Sequence, residues 1–444
     1  MKLVYPRLYR VVAASVLGGL LIGVVGGLFR YFLILSDSWR TELVARAHQH
    51  AYVGWIFPVV LCAAGACLAR LLVIKFAPTA EGSGVQRVEA VFSGEVEPAS
   101  PAVVPVKFFG GLLAMGSGMA LGREGPMVQM GATFGVTVSR YLLPEGEDRR
   151  VVQAASAGAG LAVAFNAPIG GSIFVFEELT SSITPWLLVS TLASATVAVW
   201  VMRFLLGNTL SFNLPQVSLT ENWSKLPFLA LGAVMGGLGA LYNLIIMRLL
   251  RISDNMMRLS SLQRAAIIGA AVGVVAWFVP DMVGGGDLIT QAILTNQFQL
   301  ATLVTIFAVR FALGPWSYAA GCPGGLFAPL LLLGASSGAM FAGIVNHIVP
   351  SAHIAPVACA IVGMGALFTA SVRAPLTGIV LAVEMTGRAD LTLGLLGASL
   401  TAMLVTMLLQ SEPIYDSLKR RMLSQTTVSP RRVDAGVQRP AEGQ

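Results

Sequence analysis

The residue that most needs a chemical explanation is Glu124, a carboxylate set in Gly122-Arg123-Glu124-Gly125-Pro126 within otherwise apolar surroundings. An ionisable side chain at membrane depth is costly and marks function by default. Two further clusters share the make-up of this one: Gly82-Ser83-Gly84-Val85 and Gly324-Gly325-Leu326-Phe327-Ala328-Pro329. Each reads as a helix start, since glycine permits unusual backbone angles and close approach and proline fits a first helical turn. Helix N-termini present unpaired N–H donors and about half a positive charge. Several aimed at one point, Gly125 among them, make an anion site without a full buried cation, and Ser83 adds a hydroxyl donor. An ionised Glu124 would occupy that site as a tethered competitor and leave it on protonation. Anion movement would then be coupled to proton movement, with Glu124 as gate and proton carrier.

A second acidic pair, Glu177 and Glu178, ends the apolar stretch 173–176. Adjacent helical residues point about 100° apart, so the two carboxylates have separate duties. Internal repetition separates them. At an offset of 203, Lys107 aligns with Arg310, Phe108 with Phe311, Gly111 with Gly314, Gly118 with Gly321, Gly122 with Gly325, Pro126 with Pro329, Gly131 with Gly334 and Gly135 with Gly338. At an offset of 207, Ala167-Pro168 aligns with Ala374-Pro375, Gly171 with Gly378 and Glu177 with Glu384. Glu177 is therefore expected to serve structure, satisfying buried backbone or a helix end. Glu178 aligns with Met385 and is the candidate for an internal proton relay.

The elements that position these residues must lie in a bilayer. The 444 residues are 55% hydrophobic and 11% charged, a balance that a soluble domain of this size could not cover with polar surface. Apolar runs at 11–35, 53–74, 226–250, 265–279 and 391–409 are of membrane-crossing length. The first is read as a retained segment, not a cleaved signal. A duplicated membrane unit with interrupted helices is the pattern of secondary transporters, with the substrate near the midplane between repeats. If each unit has an odd number of crossings, the two face opposite ways. The expected organisation is one membrane domain over 1–424, with repeats at about 8–206 and 225–424, then a short disordered cytoplasmic tail over 425–444.

The net charge of +7 suggests no nucleic acid, because the basic residues sit at segment ends and loops. Arg248, Arg251, Arg258 and Arg264, with Lys419, Arg420 and Arg421, put their loops and both termini on the cytoplasmic side. Cys62, Cys67, Cys322 and Cys359 show no metal or disulfide spacing and read as packing residues. His48, His50, His347 and His353 lack zinc-ligand spacing and read as solvated loop residues. Most remaining glycines read as helix-packing positions, Gly116-Ser117-Gly118 among them. An intramembrane serine hydrolase has no support, since no transmembrane histidine or Ser/Lys pairing accompanies a nucleophile.

GSGV at 82–85, GREGP at 122–126 and GGLFAP at 324–329, in this order, resemble the signatures of the CLC family of chloride channels and proton-coupled chloride transporters. AFNAP at 164–168, GCPGG at 321–325 and Glu412-Pro413-Ile414-Tyr415 extend the resemblance over nearly the whole chain. It implies an all-α membrane protein, a bundle of tilted and broken helices in two inverted repeats, assembled with lipid around it as a homodimer with one pore per subunit. It implies that Ser83 and Tyr415 coordinate the central anion, with backbone amides at Leu326 and Phe327 completing the site. Glu124 matches the external gating glutamate and Glu178 the internal proton glutamate typical of exchangers. Ser83 argues against nitrate-preferring members, which have proline there, and Ser83 with Tyr415 argues against the fluoride-exporting branch. The expected function is chloride/proton antiport across the cell (inner) membrane; the alternative is a passive voltage- or pH-gated chloride channel on the same fold. No metal, cofactor or nucleotide is expected, and no paired nucleotide-binding domains, as in bacterial-type members. One departure stands out: Gln86 occupies the position where the family usually has the proline that starts the first anion-coordinating helix.

Overall fold

A computed structural model describes residues 4–428 except 51, 145, 209, 215–225 and 257. The tail expected at 425–444 lies outside the described residues from 429 onward. The first repeat runs α1 (Val4–Ala47), α2 (Ile56–Phe76), α3 (Val85–Phe92), α4 (Val103–Ser117), α5 (Glu124–Leu142), α6 (Glu147–Phe165), α7 (Pro168–Phe174) and α8 (Pro185–Leu206). The second runs α9 (Leu226–Asn255), α10 (Ser261–Phe278), α11 (Asp287–Leu294), α12 (Leu300–Ala319), α13 (Phe327–Ile348), α14 (Pro356–Val372), α15 (Pro375–Thr386) and α16 (Thr392–Leu408), and α17 (Ile414–Val428) closes the chain. Among the described residues, eight helices are long and apolar enough to cross a membrane, so the chain is a multi-pass membrane protein.

Local sequence sets the helix ends. Proline occupies the first turn of α7, α8, α14 and α15, where its missing N–H is not needed. Ser260 and Gln263 cap α10 reciprocally, at 3.2 and 2.8 Å, as a capping box. α6 and α14 end on left-handed residues at matching positions, Asn166 and Arg373, with φ of 56° and 72°. The Gly116-Ser117-Gly118 segment packs closely, since a Cβ on Gly116 would stand 2.9 Å from Ser36 Cβ, and it also ends α4: the helix stops at Ser117, and Gly118, with φ of 124°, turns the chain.

The halves are related by a two-fold axis that the backbone reveals directly. Gly122 and Gly325 are each other's repeat counterparts, and they form an antiparallel bridge. They exchange both hydrogen bonds, Gly122 N–H to Gly325 O at 2.9 Å and Gly325 N–H to Gly122 O at 2.6 Å. A residue that pairs reciprocally with its own counterpart in an antiparallel ladder sits on a local two-fold axis, so the repeats are inverted. The glutamates repeat the statement at a second point. The Glu177 carboxylate accepts from Leu376 N–H (3.0 Å), Thr377 N–H (2.7 Å) and the Thr377 hydroxyl (2.8 Å) at the start of α15. The Glu384 carboxylate accepts from Ile169 N–H (3.1 Å) and Gly170 N–H (2.6 Å) at the start of α7. Each glutamate therefore caps the other repeat's helix, the structural duty expected of Glu177.

The core lies where α5 crosses α6 and α13 crosses α14. Residues 151–165 of α6 and 358–372 of α14 are buried throughout. The repeated glycines make these crossings possible: a Cβ on Gly131 would stand 2.2 Å from Ser156 O, and one on Gly338 would stand 2.0 Å from Cys359 O. Backbones approach this closely only past small residues. The outer helices α1, α8 and α16 turn large apolar side chains outward, as at Trp200 and Phe204. Cys62, Cys322 and Cys359 are buried and free. His48 lies in the exposed turn after α1, as expected of a loop residue, with its ring stacked 3.9 Å from that of Trp277.

Candidate functional site

All three glycine-rich clusters begin helices: α3 at Val85, α5 at Glu124 and α13 at Phe327. Their starts converge on the axis marked by Gly122 and Gly325. Gly84, the residue ahead of α3, has φ of 88°, a conformation open to glycine at little cost. Gly125 lets α5 press against the first cluster, since a Cβ there would lie 2.4 Å from Ser83 Oγ and 2.7 Å from Ser83 O. Gly325 plays the same part for α13, where a Cβ would come within 2.9 Å of Gly125 N.

Glu124 is fully buried as the first residue of α5. Its Oε1 accepts the Ala328 N–H at 3.1 Å, in the first turn of α13. One repeat's carboxylate is thus held by the other repeat's helix start. Its Oε2 has no hydrogen-bond partner among the described residues and lies against Gly122 and Gly325, where a Cβ would approach to 2.0 and 3.1 Å respectively. Arg123, next in sequence, turns away and pairs with Asp287 at 2.5 Å while donating to Ala164 O at 3.1 Å. The carboxylate therefore rests on backbone donors and not on a salt bridge.

Ser83 and Tyr415 are both fully buried, their side chains close enough to interact with each other, and among the described residues neither hydroxyl makes a hydrogen bond of regular geometry. Tyr415, the second residue of α17, lies within electrostatic reach of Ser83, Tyr318, Glu124 and Glu178. Its ring stands 5.8 Å from that of Phe327, which also packs on Phe368 at 4.8 Å and Phe174 at 5.5 Å. Leu326 and Phe327, at the start of α13, are likewise fully buried. Buried polar atoms are nearly always satisfied, so these two hydroxyls, set among helix starts and apolar rings, are an exception in this core.

Sequence reasoning aligned Lys107 with Arg310 and gave it no task. It is fully buried, and its Nζ donates to Gly82 O at 2.6 Å and Ser83 O at 3.0 Å. Lys107 thereby fixes both carbonyls of the loop ahead of α3. An ionisable residue inside the apolar run that became α4 was the available signal. Arg310 does the same for the second repeat, donating to Met282 O at 3.2 Å and Gly284 O at 2.7 Å.

Glu178 lies in a π-helical turn, Val175–Leu179, a local widening often found at functional sites. It is half-buried and makes no hydrogen bond among the described residues. It lies within electrostatic reach of Glu89 and Asp416, and Lys419 pairs with both Glu89 at 3.0 Å and Glu95 at 2.6 Å. Glu124 and Glu178 both lie within electrostatic reach of Tyr415.

The family described as Voltage gated chloride channel matches residues 64–407. The H(+)/Cl(-) exchange transporter ClcA of Vibrio cholerae serotype O1 (strain M66-2) is 37% identical over 426 residues, covering 94% of this chain and 90% of that protein. The transporter of the same name from Cronobacter sakazakii (strain ATCC BAA-894) is 34% identical, covering 92% of this chain and 89% of that protein. The crystal structure of a slow cyanobacterial Cl-/H+ antiporter superposes with a TM-score of 0.89 at 31% identity, over 94% of this chain and 99% of that one. A eukaryotic CLC transporter shares the fold, with a TM-score of 0.81 at 22% identity, over 94% of this chain and 74% of that one. With the inverted repeats and the converging helix starts, these matches establish that the chain belongs to the voltage-gated chloride channel family.

Proposed function

We propose that this protein exchanges chloride for protons across the cell (inner) membrane, with Glu124 as the outer gate and proton carrier and Glu178 as the inner relay. The observation that carries the reading is the Glu124 carboxylate, buried and accepting the Ala328 N–H of the opposite repeat at 3.1 Å. A carboxylate held on a helix N-terminus occupies ground suited to an anion. Protonation removes the charge that holds it there, and chloride then competes for the same donors. Ser83 and Tyr415 donate hydroxyls to the central anion, while backbone amides at Gly125, Leu326 and Phe327 complete its surroundings. Exchange is favoured over passive conduction by Glu178 and by the exchange named in the ClcA relatives at 34–37% identity.

The transport unit is the membrane domain 1–424, in two repeats over 8–206 and 225–424, assembled in lipid as a homodimer with one pathway per subunit. Lys419, Arg420, Arg421 and the arginines at 248, 251, 258 and 264 favour cytoplasmic termini by the positive-inside rule. The test is proton flux in sealed liposomes bearing the purified protein, with a chloride gradient as the sole driving force. Uphill proton movement that falls to the level of protein-free liposomes in Glu124→Gln is expected; chloride flux with no proton movement in the unaltered protein would make it a channel.

A further inference from the structure

Beyond Ser83 and Tyr415, a third hydroxyl approaches the anion pathway, and nothing above gives it a task. Tyr318, near the end of α12, is buried. Its phenol oxygen accepts the Ser83 N–H at 3.3 Å. It sits close over Gly82, where a Cβ would stand 3.0 Å from the phenol oxygen. Its own proton has no acceptor among the described residues. The Gln86 side-chain amide lies within hydrogen-bond reach of the same hydroxyl, and its Oε1 is buried without a partner among the described residues. Both residues line a cavity of about 350 Å³ that Gly82, Gly84, Arg87 and Arg421 also border. The cavity therefore ends against the two side chains that stand next to Ser83.

An anion moving between this cavity and the hydroxyls of Ser83 and Tyr415 must shed water beside Tyr318 and Gln86. Cationic side chains at the cavity are largely engaged elsewhere. Arg421 is paired with Asp254 at 2.7 Å, and Arg87 donates to Glu97 O at 3.2 Å. Of the carboxylates nearby, Glu81 is paired with Arg70 at 2.8 Å. Neutral donors are thus left to replace the lost water. A phenol that accepts one N–H is a better donor of its remaining proton, because linked hydrogen bonds polarise one another.

We infer that Tyr318 O–H and the Gln86 amide form a donor pair that contacts the dehydrating anion ahead of Ser83 and sets selectivity for small, strongly hydrated anions. Chloride, with concentrated charge, gains more from two fixed donors than thiocyanate, which is large and weakly hydrated. Gln86, in place of the proline usual in the family, then contributes recognition chemistry that proline lacks. This inference rests on the transport reading above and specifies its selectivity.

The test is calorimetric titration of chloride and of thiocyanate into the purified full-length protein, unaltered and as Tyr318→Phe and Gln86→Leu. A hydrogen bond to a charged group is worth enough that Tyr318→Phe should weaken chloride binding about tenfold, with thiocyanate changed by less than about twofold. Gln86→Leu leaves the phenol in place and should weaken chloride about threefold, which keeps the test decisive if Tyr318→Phe does not fold. Chloride affinity unchanged in both variants, or both anions weakened equally, overturns the inference while leaving the transport reading intact. Failure of the unaltered protein to bind either anion defeats the transport reading and this inference together.

Discussion

Lys107 in the first repeat and Arg310 in the second do one job at matching positions. Each is a buried cation that donates to two carbonyls of the loop ahead of a short helix. Those loops match in conformation too, with φ of 63° and 88° at Gly82 and Gly84 against 77° and 94° at Gly284 and Gly286. Glu177 and Glu384 exchange helix caps across the same axis. The chemistry, by contrast, is one-sided. Ser83 corresponds to Gly285, Glu124 to Phe327 and Glu178 to Met385. What the repeats share is scaffold, and what only one repeat carries is the candidate machinery for anions and protons. Symmetry delivers two helix starts to one point, and asymmetry decides what each presents there.

The comparison breaks most visibly at the buried cations. Lys107→Met and Arg310→Met each orphan two buried carbonyl oxygens, and each should lower stability by about 3 kcal/mol, given roughly 1–3 kcal/mol per unsatisfied group. Thermal unfolding in detergent measures this. Only Lys107→Met should also weaken chloride binding, because only the first repeat's loop bears a hydroxyl for the anion. Equal loss of binding in both variants would mean that the second repeat's loop also contributes to the site. A smaller and more even effect is expected at the caps. Glu177→Ala and Glu384→Ala each leave two N–H groups at a helix start without an acceptor, and each should cost about 2 kcal/mol. Proton coupling should survive both, which separates Glu177 from its neighbour Glu178. Loss of coupling in Glu177→Ala alone would assign that residue to the proton path.

The repeat, the helix starts at 85, 124 and 327 and the capping duty of Glu177 were legible because they depend on local rules and on identities that recur at a fixed offset. The inversion became visible through contacts that join residues distant in sequence, the Gly122–Gly325 pairing and the exchanged caps of Glu177 and Glu384. Other features were hidden for definite reasons. Ala328 grips Glu124 through its backbone N–H, and no side chain advertises a backbone donor. Arg123 adjoins Glu124 in sequence, yet the turn of α5 carries it to Asp287, 164 residues away. Tyr318 resembles any aromatic residue near the end of an apolar run, and only its contact with Ser83 N distinguishes it. The π-helical turn at Glu178 follows from tertiary packing, since Thr180 N–H reaches back to Val175 O at 2.9 Å with no compositional mark. The stacking of His48 on Trp277 was hidden because the two lie far apart in sequence.

Glu178 stands where its counterpart is Met385, in a widened turn and without a hydrogen bond among the described residues, and the claim that unrepeated residues carry the chemistry depends on it most. The direct measurement is Glu178→Ala in sealed liposomes under a chloride gradient, with chloride efflux and external pH recorded together. The account predicts that chloride flux persists while uphill proton movement disappears; proton pumping at the level of the unaltered protein would contradict it.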